Sequence, residues 1–504
     1  MHKINIMSKS SSSDLFHFIK SLDKKEKKYF RRFASSRPGG TEAKYVKLFD
    51  AIKKQDEYSE EKIIGSLKIS GKPRLANMKK HLHNLVLHAM RDLHAGGKME
   101  SRLNELSETI PLLFEKGLYS QCIKTLRSAR KLAYEKEDFS ELLHLIEWEK
   151  RMAEARVYGG FSRNINDIEN EEKMLSEKLQ IMRNYQNIRY YIHRHYSGNG
   201  FARTKKEQQI YLDLLKKDAL RNRKEKLPYN AQCDYYFARG VCYFATSDWE
   251  KCYSNQKSLI AFMEAYPGRL QYEKRKYLTT LTNFFAILRL MGKYDECIPV
   301  LSKIRSIHFD DRANTLELDM YASTGDFKKG LPLAKKTEHK MQHSSGTPYE
   351  NTVDIFNITY TYFGLADYNS SLKWINKIIN NEANAKTDIY CFAKILNLII
   401  HFELGNTELL EYIVKSTYGY LYRRKRLYKF ETCVLDFIRN KISRTASRGE
   451  LLNSFKSLRT DLTRLSHDPF EKQALEYFDF ISWLDSKIEN RPFADIVREK
   501  AGRV

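Results

Sequence analysis

Residues 238–253 read ARGVCYFATSDWEKCY. A glycine, an aromatic residue three positions on, an acidic turn, a second aromatic residue and two cysteines ten apart describe either a metal or redox site or two helices pressed together. Steps of three place Gly240 with Tyr243, and Trp249 with Cys252, on single helix faces, where a small side chain admits a neighbouring helix and a large one fills the gap beside it. The ten-residue gap between Cys242 and Cys252 spans a turn, whereas a zinc site needs four convergent ligands at motif spacing. The stretch is therefore expected to be a helical hairpin, with its cysteines acting as small hydrophobes.

The same grammar recurs along the chain. GLYSQC (117–122), SDWEKC (247–252), GKYDEC (292–297), GDFKKG (325–330), ADYNSS (366–371) and GNTELL (405–410) align on the residue after each turn. From Trp249 the anchors fall at Tyr294, Phe327, Tyr368 and Thr407, with separations of 45, 33, 41 and 39 residues, in the range of paired-helix repeats. A large residue stands six before each of the first four anchors (Tyr243, Leu288, Tyr321, Tyr362), and a small one three after (Cys252, Cys297, Gly330, Ser371).

These residues resemble the tetratricopeptide repeat: glycine and tyrosine in a first helix, Gly-Asp-Tyr at the turn, a small residue early in the second helix and a proline after it. ARGVCYFATSDWEKCYSNQKSLIAFMEAYP is the best match, closing at Pro267. The resemblance covers about residues 100–435 and implies five to eight degenerate repeats. The fold class expected is all-α: an α-solenoid of degenerate tetratricopeptide-like hairpins preceded by a small N-terminal helical bundle. The expected organisation is a disordered tail at 1–13, a basic bundle at 14–96, the repeats at 97–440 and C-terminal capping helices at 441–504.

Composition agrees with helix. Of 504 residues only 22 are glycine and 10 proline, so long uninterrupted helices are favoured over strands and turns. No stretch approaches the roughly 20 apolar residues of a membrane span, and MHKINIMSKSSSSD has no apolar run of signal-peptide length. Seven dispersed cysteines without a CxxC fit a reducing compartment, and a cytoplasmic location is expected. The net charge of +24 is uneven: residues 1–100 hold 22 Lys and Arg against 11 Asp and Glu. An anionic partner is expected to meet that end first.

Within 14–95, DLFHFIKSL and DKKEKKYFRRFA read as two helices, the second opened by a capping box from Asp23 and Glu26. Tyr45, Leu48, Phe49 and Ile52 mark a third, Ser59 opens a fourth, and GKPR introduces a long fifth. On a helical wheel Lys24, Lys25, Lys27, Lys28, Arg31 and Arg32 fill one arc, and Tyr29, Phe30 and Phe33 the opposite one. The basic arc reads as a solvated face or as a contact for nucleic-acid phosphates or an acidic protein. Lys24, Lys25, Lys28, Arg31 and Arg32 are its candidate contacts. A second cluster, YLYRRKRLYKFE (420–431), interleaves Arg423, Arg424 and Arg426 with tyrosines; such a mixture stacks on single-stranded bases or packs between helices.

LFHFIKSLDKKEKKYFRRFA, KYVKLFDAIKKQDEY, RRKRLYKFE and FISWLDSKIENRPFADIV together resemble a family of bacterial proteins that join a basic helical N-terminal module to degenerate tetratricopeptide-like repeats. The resemblance spans nearly the whole chain and implies no particular chemistry. More distantly the arrangement is similar to regulators in which a helix-turn-helix domain precedes a peptide-binding repeat array, although the turn QDEY (55–58) lacks the usual glycine.

No phosphate loop, dinucleotide fingerprint or nucleophile elbow is present. His339 and His343 lie four apart without a third ligand or an HExxH, and His81 and His88 read as surface residues beside Lys80 and Arg91. No catalytic residue, metal ligand or cofactor is therefore nominated. For a repeat array the natural site is the concave surface lined by first helices. Asn283 and Asn357 both stand eleven before their anchors, the position from which an asparagine grips a ligand in peptide-binding tetratricopeptide proteins; the lysine expected four earlier is replaced by Thr279 and Val353. The sequence thus predicts a non-enzymatic protein- or peptide-binding scaffold whose basic N-terminal module meets an anionic partner. The alternative is a nucleic-acid-binding regulator whose repeats sense a ligand or dimerise.

Overall fold

The computed structural model describes residues 14–35, 43–95, 99–154, 163–221, 227–307, 312–343, 348–381, 388–442 and 448–502. The expected tail at 1–13 lies outside them. Every regular element among the described residues is helical, and none of these helices is long and apolar enough to cross a membrane. The chain divides into two compact units, Met1–Lys173 and Met174–Val504.

In the first unit, α1 (Asp14–Ser21), α2 (Lys24–Ser35), α3 (Ala43–Lys54), α4 (Glu60–Leu67) and α5 (Lys72–Ala95) close around Ile19, Phe30, Leu48, Phe49, Ile63 and Leu82. Burying each of these side chains contributes roughly 1.5–3 kcal/mol. Both halves of the capping box are made: the Glu26 N–H donates to Asp23 Oδ1 at 2.7 Å, and the Asp23 N–H to Glu26 Oε2 at 2.8 Å. Ser59 caps α4 by accepting from the Lys62 N–H. Then follow α6 (Met99–Glu115), α7 (Tyr119–Lys136), α8 (Phe139–Glu154) and the start of α9 (Ile165–Asn199), inside which the boundary between the units falls. Arg130 and Arg163 both reach Glu149 and Glu171, tying α7 and α8 to α9.

The second unit continues with α10 (Lys205–Lys216), α11 (Asp218–Arg221), α12 (Tyr229–Ala245), α13 (Trp249–Glu264), the short α14 (Pro267–Leu270), α15 (Lys274–Leu290), α16 (Tyr294–Ser306), α17 (Arg312–Ser323) and α18 (Phe327–His343). Next come α19 (Pro348–Gly364), α20 (Tyr368–Ile379), α21 (Asp388–Glu403), α22 (Thr407–Arg423) and α23 (Lys429–Phe437), whose last turn widens into a π-helix at Ile438–Ile442. From α15 to α22 consecutive helices pack on each other, and α15 also touches α17, α17 touches α19 and α19 touches α21, so these alternate helices form one layer.

One turn geometry builds the hairpins. Two residues before each anchor the backbone is left-handed, at Gly117, Ser247, Gly292, Gly325, Ala366 and Gly405, with φ between +55° and +74°. The next N–H returns to a carbonyl five residues back at 2.9–3.0 Å, as from Asp248 to Tyr243, Lys293 to Leu288 and Asp367 to Tyr362. This is the Schellman closure, which satisfies orphan carbonyls at a helix end. A seventh copy, Glu137 with Asp138 to Ala133, precedes Phe139 and carries no glycine.

The small residue three after the anchor does more than leave room. Cys122, Cys252 and Ser371 donate to the carbonyls of Ile110, Gly240 and Thr359 on the preceding helix, each 12 residues back, at 3.6, 3.6 and 3.0 Å. A Cβ on Gly330 would stand 3.5 Å from Tyr321 Cβ and 3.6 Å from Thr361 Cγ2, so nothing much larger than alanine fits there.

The remaining elements are α24 (Arg448–Ser466), a 3₁₀ turn at Lys472–Glu476, α25 (Phe480–Glu489) and α26 (Phe493–Lys500). They share a core with the hairpins: Phe478 lies 5.1 Å from Phe363 and 5.8 Å from Phe493, whose ring is 5.9 Å from Phe327. Gly364 admits Phe327, because a Cβ there would fall 2.3 Å from its ring.

Candidate functional site

Three places answer to the residues singled out in the sequence. On α2, Phe30 is fully buried with its ring 4.4 Å from Phe49, so Lys24, Lys25, Lys28, Arg31 and Arg32 all face solvent. They are not equivalent. Arg31 donates from Nε to Asp50 at 3.1 Å, and the Arg32 guanidinium sits 5.2 Å over the Tyr29 ring. Lys27 turns inward and donates to the carbonyls of Lys20 and Leu22; burial, then Lys53 and Lys20, lower its pKa. Lys24, Lys25 and Lys28 have no ion-pair partner among the described residues.

The second basic cluster is divided. Arg423 and Arg424 are exposed, with Tyr422 beside them 69% exposed. Arg426 instead donates to the Asn199 carbonyl at 2.7 Å and pairs with Asp388 at 3.4 Å. Nearby Tyr428 stacks beneath Arg203 at 4.2 Å.

The third place is a cavity of about 560 Å³ in the second unit. Its walls come from α15 (Ala286, Arg289), α17 (Thr315, Asp319), α19 (Phe356, Asn357, Tyr360), the segment Leu475–Asp479 and the end of α26. Asn357 is buried and donates to the Thr315 carbonyl at 3.1 Å. Asn283 is exposed on α15 and does not line this cavity.

Residues 471–479 occupy the face presented by the hairpins. Gln473 donates to Ser247 Oγ at 2.9 Å, Tyr477 stacks on Phe392 at 4.2 Å, and the Asp479 N–H donates to the Tyr360 hydroxyl at 3.3 Å.

Charge in the cavity is concentrated. Arg289 Nε lies 2.8 Å from Asp319 Oδ2, and Lys500 donates to Asp479 at 2.9 Å. Burial pushes the Asp319 carboxyl up, against the pull of Arg289. The Glu476 carboxyl is pushed up by burial as well, against Arg289, Lys472 and Lys500. Burial also drives the Tyr360 phenol strongly up, keeping it neutral. Desolvated charges of this kind interact more strongly than at a surface.

Sequence reasoning missed Arg289, Asp319 and Glu476, which converge from three distant segments. One signal was present: Leu281, Phe285 and Leu288 mark the buried stripe of α15, and Arg289 continues it with a charge. Among the described residues no three His, Cys, Asp or Glu side chains are grouped to hold a metal ion. His81 stacks on Tyr45 at 4.3 Å.

A comparison of the chain with models of known protein families finds no match, and a comparison with curated proteins likewise finds none.

Proposed function

We propose that the hairpins are degenerate tetratricopeptide-like repeats of an α-solenoid, and that the protein is a non-enzymatic scaffold binding a protein or peptide segment along the layer formed by their first helices. The observation that carries this reading is the repeated unit itself: one left-handed turn, one returning hydrogen bond and one small residue against the helix before it. Repeats of this kind bury their cores against neighbours and leave a layer of helices for ligands. Further support comes from residues 471–479, a short non-α segment of the chain held on that layer by side-chain hydrogen bonds and ring stacking.

The test is selection of displayed peptides on the full-length chain. Convergent sequences are expected, with binding weakened by Asn283→Arg at unchanged melting temperature. Failure to enrich any sequence over an unrelated helical protein overturns the reading.

A second reading, a nucleic-acid-binding regulator, is favoured by the exposed lysines of α2 that have no ion-pair partner among the described residues. Binding of the full-length chain to duplex DNA and to single-stranded RNA at two salt concentrations separates the two. Under the regulator reading, replacing Lys24, Lys25 and Lys28 by glutamate lowers the salt slope by about one for each phosphate no longer neutralised. Weak binding indifferent to sequence leaves only electrostatic attraction to an acidic partner.

A further inference from the structure

Arg289 is a largely buried cation, its side chain 18% exposed into the cavity, whose hydrogen-bonding capacity is left open. Its Nε approaches Asp319 closely enough for an ion pair, but the N–H is not aligned as a hydrogen bond. None of its other donors meets an acceptor among the described residues, and the guanidinium lines the cavity. Buried guanidinium groups ordinarily use their donors, because an unpaired charged donor costs more than the roughly 1–3 kcal/mol of a neutral one.

Glu476 presents the opposite charge to the same space. Its carboxylate makes no hydrogen bond or ion pair among the described residues, although it is half-buried in the cavity wall and feels Arg289 as its principal cation. Asp319 is paired with Arg289, and Asp479 with Lys500. The cavity therefore offers one unfilled set of donors and one unfilled acceptor, too far apart to satisfy each other.

A simple anion on Arg289 would meet the field of two carboxylates. A simple cation on Glu476 would leave the guanidinium donors empty. One ligand that satisfies both carries both charges. Phe201, Phe244, Tyr294, Phe356, Tyr360 and Phe478 also line the wall, a surface for a large apolar or aromatic group. The volume falls within the range of small-molecule sites.

We propose that this cavity binds a small zwitterion of the α-amino-acid class with a large apolar side chain, its carboxylate on the Arg289 Nη atoms and its ammonium group on Glu476. A planar guanidinium matches a carboxylate through two parallel N–H bonds, which fixes the ligand's orientation. The site goes beyond the scaffold reading: it lies between first helices and the segment Leu475–Asp479, so its occupant would brace that segment against the layer it covers.

The experiment uses the full-length chain, with calorimetry and thermal melting in the presence of each of the twenty L-amino acids and the dipeptide phenylalanylglycine. Phenylalanine amide supplies the cation alone, and 3-phenylpropionate the anion alone. An amino acid with an aromatic or large aliphatic side chain is expected to bind and raise the melting temperature, with each half-analogue at least about tenfold weaker, as removal of one charge-assisted hydrogen bond implies. Tighter binding of the dipeptide would place the source in peptide ends rather than free amino acids.

Glu476→Gln, which keeps shape, should weaken the amino acid about tenfold and leave 3-phenylpropionate no weaker. Arg289→Met paired with Asp319→Leu removes both members of the ion pair together and should abolish binding while the protein still melts cooperatively. The proposal is overturned if no zwitterion binds at millimolar concentration, if either half-analogue equals the parent, or if Glu476→Gln leaves affinity unchanged. A cavity filled by water alone would give the first of these results.

Discussion

Arg203 and Glu431, 228 residues apart in the chain, meet side by side: Nη1 donates to Oε1 at 3.0 Å and Nη2 to Oε2 at 3.2 Å. Nη2 also reaches Glu471 Oε2 at 3.2 Å, and Glu471 accepts from the N–H of Phe430 at 3.0 Å. All three side chains are almost wholly buried, so the cluster fastens the segment after α9 to α23 and to the segment before the 3₁₀ turn.

Removing one member of such a cluster leaves its partners charged and unpaired. Arg203→Met is expected to destabilise the protein by about 3–5 kcal/mol in urea unfolding, and Arg203→Met with Glu431→Gln and Glu471→Gln to recover a large part of that loss. The pH dependence follows from Glu431, whose carboxyl burial pushes above its ordinary 4.5 while Arg203 pulls it back. A raised folded value means the folded state holds its proton longer, so stability declines as pH rises from 4.5 through that value. Without Arg203 the value climbs further, and the loss should be larger at neutral pH than below 4.5. A cost under about 1 kcal/mol at neutral pH would show that the cluster is not what closes this part of the fold.

Gly292 and Gly325 occupy the same position of the repeated turn, with φ of +70° and +72°. A Cβ on Gly292 would meet nothing within 4 Å, while one on Gly325 would stand 2.6 Å from the Ala494 carbonyl oxygen and 2.7 Å from the Arg498 nitrogen, both backbone atoms of α26. Gly292→Ala should therefore cost only the left-handed strain of about 1–2 kcal/mol. Gly325→Ala should cost a further 1–3 kcal/mol or so, because α26 must move. Melting of the two variants side by side checks this, and equal losses would mean that α26 does not lie tightly against the turn.

How far the sequence disclosed this fold can be judged from the turns. Gly-Tyr-like pairs such as Gly292 with Tyr294 were legible because glycine is favoured where φ is positive. The turn at Glu137 escaped notice because glutamate stands in that place, and the backbone tolerates it at a strain the packing offsets. Cys122, Cys252 and Ser371 were legible as small residues; that they also donate to the helix before them required coordinates. Lys24, Lys25 and Lys28 were readable as an exposed face, since helical periodicity fixes what lies opposite Phe30. The Arg289, Asp319 and Glu476 cavity was not, because its members come from separate helices and share no spacing.

Cys252 and Cys242 carry thiols that burial pushes up to about 12, as it does for Cys391, and Cys233 is pushed to about 11. From an ordinary 9.0, a rise of this size lowers the reactive thiolate roughly a thousandfold, and the thiols are also shielded from reagents. At mildly alkaline pH a thiol probe should label Cys433, the one cysteine that is not fully buried, ahead of the other six. All seven should react once the chain is unfolded in guanidinium. Rapid labelling of Cys252 in the native protein would mean that the α12–α13 contact opens readily.

Lys27 and Lys28 are neighbours on the basic face of α2, yet the structure assigns them opposite uses. The Lys27 ammonium caps the carbonyls of Lys20 and Leu22 near the end of α1, where a cation also offsets the helix dipole. Lys28 faces solvent with no ion pair among the described residues. Lys27→Met should lose about 1–2 kcal/mol of stability and leave the affinity for a polyanion such as heparin within about twofold, because its charge is already committed inward. Lys28→Met should leave stability within about 0.5 kcal/mol and weaken polyanion binding, more so at low salt. Chemical denaturation and a heparin titration of the two variants decide between this division and a face on which all six cations act alike; if Lys27→Met weakens heparin as much as Lys28→Met does, the inward hydrogen bonds do not hold in solution.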